Sequence, residues 1–475
     1  MKHYFKRVPK ISMILVSVFL LSIPSAFSQT KADKNPYTGV FQSENDSTIN
    51  FIVLERNGKI IARNVWGVEE LDLNEAHSFT LKEWGLTGQF SGVKEAKFQK
   101  YVEEINGQQH PFNRINVEPS IPFLYNSNPN FTDFSAVDQE SCSEEYKLHS
   151  LAKNSKHPEK IEKLIKQIKS DRYGWGKQDS LLIYKDNKLL IEEYFNGWER
   201  NDPHQLQSVS KSITSLLLGS LITEGKLTDV NAPIIKFLPQ YARILTADKS
   251  KITLANFLNM SAGLEWDEWS VPYTDPKNTR TAEMGSDDSV AFTLKRSLTN
   301  KPGEHFSYSG GYVSVVGGVI DTATKLPTVA DYARDSALSA LCFKNSFWSK
   351  QNDGKTNTAG GAMMRPLDML KVGQLMLNEG IWQGKQVIDK QWVIDSMNPE
   401  TNPYNDTYGY FWWHNSYSIG EKNYSAVLAS GWGGQEIAII KELNLVVVKT
   451  ASNFAGQSQL PTMMKRFILP AFFDN

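Results

Sequence analysis

The stretch Gln207-Ser208-Val209-Ser210-Lys211-Ser212 runs directly into the apolar series Ile213-Thr214-Ser215-Leu216-Leu217-Leu218. This is the feature that most restricts how the chain can fold. A serine and a lysine three positions apart at the start of a helix share one face, with Cβ atoms about 5–6 Å apart. A lysine placed just before an apolar run is expected to be buried beside its partner, where its amine can take the proton of the serine hydroxyl. The helix N-terminus beneath them favours developing negative charge. The spacing alone is weak, because Ser91-x-x-Lys94 and Ser150-x-x-Lys153 match it equally well. The setting of Ser208 and the motifs that follow it set it apart.

Residues 1–28 read as a secretory signal peptide. They comprise a basic segment up to Lys10, an apolar segment from Ile11 to Ile23, and the small residues Ala26-Phe27-Ser28 before Gln29. An uncleaved N-terminal anchor is the alternative. No cysteine follows the apolar segment, so no lipid anchor is expected, and no later segment has the length and apolarity of a membrane span. The mature protein is expected to be exported and soluble, in the periplasm if the source is Gram-negative. Over the whole chain 51 basic residues stand against 52 acidic ones, and loss of the basic leader makes the remainder mildly acidic. Nothing in that balance points to nucleic acid or an anionic membrane as partner. No Cys-x-x-Cys or His-Glu-x-x-His spacing occurs, so neither a metal nor a cofactor is expected. Cys142 and Cys342 are either a disulfide, which export permits, or two buried thiols.

Three textures divide the rest. Residues 29–118 read as a small β-rich module, with a hairpin turning at Arg56-Asn57-Gly58. Residues 119–142, rich in Pro, Asn and Ser, read as an extended linker. From 143 to 475 the pattern is that of an α/β (α+β) domain. A helix over His157–Lys169 precedes strands Ser180–Tyr184 and Lys188–Phe195, and strands Glu436–Ile440 and Leu445–Thr450 close the chain. Helical patterns lie between, interrupted by a polar insertion over Glu265–Asn300. Strands at both ends of a helical middle predict a central antiparallel sheet with a helical subdomain inserted.

Six segments then occur in order: Ser208-Val209-Ser210-Lys211; Thr253 through Leu264; Pro302-Gly303-Glu304-His305-Phe306-Ser307-Tyr308-Ser309-Gly310; Gly360 through Asp368; Tyr408-Gly409-Tyr410-Phe411-Trp412-Trp413; and Ala429-Ser430-Gly431-Trp432-Gly433-Gly434-Gln435. Together they resemble the serine β-lactamase-related hydrolases: class C β-lactamases, penicillin-binding DD-peptidases, esterases and 6-aminohexanoate-dimer hydrolases. The resemblance runs from about residue 171 to 469. It implies a β-lactamase/transpeptidase-like fold, with Ser208 as nucleophile, Lys211 as general base and Tyr308 as proton carrier. The oxyanion hole would be formed by the backbone N–H groups of Ser208 and Trp432, and Gly431, Trp266 and Trp413 are candidates for the substrate pocket.

The chain departs from the family pattern twice. Tyr308 is followed by Ser309-Gly310 where the family often has Tyr-x-Asn. No Lys-Thr-Gly or His-Thr-Gly triplet occurs near the C-terminus, and Ser430-Gly431-Trp432-Gly433-Gly434 stands in its place, as in nylon-oligomer hydrolases and esterase-like members. Losing that cation removes a partner for the carboxylate of a β-lactam or a peptidyl-D-Ala end. The expected activity is therefore hydrolysis of a non-lactam amide or ester in a small or short peptide-like substrate. A true β-lactamase or DD-peptidase and a catalytically inactive binding protein are the alternatives, and oligomeric state is left unassigned.

Overall fold

Strands buried along their whole length need cover on both faces, and the centre of this chain is built on several. Gln178–Lys185 is buried up to Tyr184, and Gln435–Ile440 and Leu445–Ala451 are buried throughout. They belong to a seven-stranded antiparallel sheet in the order 188–194, 178–185, 445–451, 435–440, 422–431, 412–419, 408–409. As expected, the sheet joins strands from the beginning and the end of the domain. Leu182, Val427, Ala429, Ile437, Ile439, Val446 and Val448 pack on one face against helices Val209–Thr223 and Pro366–Leu377, and helix Gly310–Thr324 packs in turn on Val209–Thr223. Leu181, Ile183, Leu428, Ala438, Ile440 and Val447 pack on the other against helix Pro158–Lys169 and the C-terminal helical turns.

The computed structural model describes residues 35–81, 85–137, 142, 146–171, 174–175, 177–245, 247–402 and 405–473. The leader read over residues 1–28 lies outside them. Among the described residues no helix is long and apolar enough to cross a membrane.

Near the N-terminus, eight antiparallel strands form one sheet from Gly39 to Ile115. The hairpin Asn50–Arg56/Lys59–Arg63 turns at Asn57 and Gly58, whose φ values of 52° and 78° are those of a tight hairpin turn. Leu71 and Phe79, from the two edge strands, share one aromatic-rich cluster with Phe41, Phe51, Phe90, Tyr101 and Phe112. The sheet therefore curls around its own core.

Within the segment 119–142, read as an extended linker, residues 120–133 are instead structured. Ser120 caps helix Ile121–Asn126, with Pro122 in its first turn, so residues that read as loop formers serve as a helix start. Phe131–Asp133 then adds the outer strand to a four-stranded sheet with 347–349, 362–364 and 204–205. Leu124, Tyr125 and Phe131 are buried, and Tyr125 stacks on Phe347 with centroids 4.2 Å apart. Apolar anchors among the turn residues turned a tether into packed structure. The N-terminal sheet also grips the chain ahead of Ser208: Arg56 makes a bidentate pair with Asp202 at 2.6 and 3.0 Å, and Arg63 donates to the Pro203 carbonyl. Of the two readings of the cysteines, the disulfide Cys142–Cys342 is the one formed.

Candidate active site

Strand His204–Gln205 delivers the chain to Ser208 through Gln207, which adopts φ 48°. Ser208 occupies the cap position of helix Val209–Thr223, yet its side chain makes no capping hydrogen bond. Its Oγ accepts instead from Lys211 Nζ at 2.9 Å, and the same amine donates to the Ala359 carbonyl at 2.6 Å. Lys211 is 2% exposed. Burial lowers its pKa to about 7, against the raising influence of Glu268 and with the help of Arg280. The amine lies 5.0 Å from the centroid of the Tyr308 ring.

Tyr308 stands two residues ahead of helix Gly310–Thr324, whose start is capped by Ser309. Its phenol borders the same cleft as Ser208; burial pushes the phenol pKa well up, and the nearby Ser208 side chain partly opposes this. The ring is held between Trp269, Tyr408 and Trp413, with centroids at 5.8, 5.9 and 5.7 Å. The serine hydroxyl thus meets a poised amine, with a phenol on the same cleft wall.

The missing third residue of Tyr-x-Asn has a structural counterpart. A Cβ on Gly310 would come within 2.6 Å of Arg280 Cδ, so the absent side chain makes room for Arg280. Arg280 is paired with Glu283 and donates to Asn357 Oδ1, and Arg280 and Asn357 both line the cleft. Glu268, buried on the same wall, accepts from Trp266 Nε1, the Tyr273 hydroxyl and the Gly310 N–H at 2.8, 2.8 and 2.7 Å. Sequence reasoning missed Arg280, Asn357 and Glu268; the glycine after Tyr308-Ser309 was the one signal that something else fills that space.

Across the cleft, strand Lys422–Gly431 ends against the Ser208 backbone. A Cβ on Gly431 would lie 2.3 Å from the Leu206 carbonyl oxygen and 3.1 Å from the Ser208 nitrogen, so only glycine allows this approach. The turn beyond it is braced from behind. Gln435 Nε2 donates to the carbonyls of Trp432 and Ala451, and the buried Lys449 donates to that of Gly434. Among the described residues, neither the Ser208 N–H nor the Trp432 N–H has a backbone acceptor. Both residues line the cleft.

These groups border one cleft of 740 Å³, which also takes in Gly431, Trp432 and Trp413. Trp266, expected in the pocket wall, does not line it. Its indole turns to Glu268 and packs beside Gly311 and Tyr312, and Trp269 lines the cleft in its stead. In an irregular loop, spacing does not reveal which indole faces inward.

The β-lactamase family profile matches residues 175–463, more than half of the chain. The chain belongs to this family, whose members are serine hydrolases. Among curated proteins it is similar to the 6-aminohexanoate-dimer hydrolase of Paenarthrobacter ureafaciens, with 25% identity over 237 residues. That match covers 45% of this chain and 56% of the relative, so it spans little more than half the relative's length. Among solved structures, a Bacillus anthracis protein provisionally named a 6-aminohexanoate-dimer hydrolase aligns with a TM-score of 0.57 at 18% identity, covering 73% of this chain and 92% of that one. FmtA from Staphylococcus aureus aligns with a TM-score of 0.50 at 19% identity, covering 69% and 92%. Both likenesses concern the fold.

Proposed function

We propose that the protein is an exported hydrolase that cleaves an amide or ester bond through an acyl-enzyme on Ser208. The observation that carries this reading is the Ser208 hydroxyl accepting from the buried Lys211 Nζ at 2.9 Å, with the Tyr308 ring 5.0 Å from the same amine. Ser208 Oγ attacks the substrate carbonyl carbon and its proton passes to the neutral Lys211 amine. The carbonyl oxygen, now negative, is received by the N–H groups of Ser208 and Trp432. Tyr308 gives its proton to the departing nitrogen or oxygen and is reprotonated from Lys211, which leaves an ester on Ser208. A water then loses a proton through the same pair as it attacks that ester, and Ser208 leaves with its hydroxyl restored. Export rests on the leader, and the Cys142–Cys342 disulfide accords with an oxidising compartment.

The cleft argues for a non-lactam substrate. Ala429 and Ser430 precede Gly431 where lactam-cleaving relatives carry Lys-Thr or His-Thr, so the cleft end of that strand offers no cation. Arg280 is engaged by Glu283 and Asn357, and Lys211 by Ser208 and Ala359. A substrate carboxylate would be desolvated here without a free partner among the described residues.

The pH dependence of kcat/KM tests the assignment of Lys211. The amine works as a base only when neutral, so activity is lost as pH falls through its pKa. On a neutral ester, kcat/KM is expected to rise with pH through a midpoint near the value of about 7 set by burial. A flat profile between about pH 5 and pH 9, or a limb near the ordinary lysine value of about 10.4, would overturn the assignment.

A further inference from the structure

Four large aromatic side chains stand exposed among the described residues, and three of them line the cleft: Trp269 at 69%, Trp432 at 54% and Tyr273 at 37%. Scattered apolar side chains on a surface need no explanation, but a group gathered around one opening does. These rings are fixed in place. The Tyr273 hydroxyl is spent on Glu268, and its ring stacks on Trp432 at 6.1 Å with 25° between the planes. The Trp432 indole N–H donates to the Phe454 carbonyl at 2.9 Å. Trp269 lies against Tyr308, which stacks on Trp413. Two aromatic walls thus flank Ser208, with the polar ends of Tyr273 and Trp432 already occupied and exposed ring surface left toward the cleft.

The charged groups lining the cleft are likewise engaged by neighbouring side chains or backbone. Glu268 accepts three hydrogen bonds, Arg280 is paired with Glu283, and Glu436 lies 3.1 Å from Lys449 and accepts from Ser458 at 2.6 Å. An anionic occupant finds no free cation among the described residues, because Arg280 is paired with Glu283 and Lys211 is engaged by Ser208 and Ala359, whereas a flat apolar ring finds oriented ring faces.

We propose that Trp269 and Trp432 are specificity-determining residues, and that the cleft recognises an amide or ester that carries an aromatic ring and no carboxylate. Its use in turnover rests on the function proposed above, but ring binding is measurable without it. The test is calorimetric titration of the full chain carrying Ser208→Ala, with four probes. These are N-benzylacetamide, N-hexylacetamide, the anion of N-acetylphenylalanine, and N-acetylglucosamine, since a sugar can also lie on an indole.

The benzyl amide is expected to bind about tenfold more tightly than each of the other three. Adding Trp269→Leu or Trp432→Leu, which keeps apolar bulk but removes the flat face, is expected to abolish most of that preference. The thermal midpoint should hold, because both rings are exposed. Equal or tighter binding of the alkyl amide, the anion or the sugar would overturn the proposal, as would a ring preference that survives both leucine variants. Labelling of unmodified protein by a fluorophosphonate reports separately on Ser208, so failure of the catalytic reading and failure of ring recognition are distinguishable.

Discussion

Ser208→Ala is expected to lower kcat by about 10⁴–10⁶-fold while leaving the thermal midpoint unchanged. The two halves of this expectation have separate grounds. Turnover falls because the oxygen that would carry the acyl group is gone and neither Lys211 nor Tyr308 can take its place. Stability holds because the Ser208 side chain makes no capping bond to its helix, so alanine removes no support from the helix start. Lys211 loses one hydrogen bond but keeps the Ala359 carbonyl. Steady-state rates on a neutral ester together with a melting curve check both halves, and a folded variant retaining more than about a hundredth of the activity would contradict the assignment.

Gly431→Ala should have the next largest effect, by a different route. The added methyl would sit 2.3 Å from the Leu206 carbonyl oxygen and 3.1 Å from the Ser208 nitrogen. Both neighbours are backbone, so the strand end must withdraw from the helix start. The distance between the Ser208 and Trp432 N–H groups then changes, and the pair of donors proposed for the oxyanion loses its alignment. A drop in kcat of about 10²–10³-fold is expected, as for loss of an oxyanion donor. Overpacking is expected to cost about 1–3 kcal/mol of stability. KM should move much less than kcat, because the donors matter most when the oxygen is negative. Kinetics and denaturant unfolding measure the two effects, and a variant with unchanged kcat would remove Gly431 and its turn from the oxyanion site.

Local chemistry made much of this site readable from sequence. Ser208 and Lys211 are three positions apart on one helix, so their contact follows from helix geometry. The central strands follow from short apolar runs bounded by turn residues, and their antiparallel order from their placement at the two ends of the domain. Contacts between distant segments were not readable in this way. Arg280 reaches Asn357 across 77 positions and fills the space that Gly310 leaves, and no periodicity encodes such a meeting. Glu268 looked like one acidic residue among several in a polar insertion, yet it joins Trp266, Tyr273 and the start of the helix after Tyr308. Trp266 and Trp269 were indistinguishable by spacing, and the loop backbone decided which of them meets the cleft. The supposed linker misled because Ser120 and Pro122 suit a loop and a helix start equally well.

The central claim is that Ser208 is the nucleophile. Treating the intact protein with a biotinylated fluorophosphonate, digesting it and locating the adduct by mass spectrometry tests this most directly. The account predicts a single adduct on the peptide containing Ser208, formed in step with loss of hydrolysis and absent from Ser208→Ala. An adduct on another serine that accounts for the lost activity, or an active protein left unmodified, would contradict it.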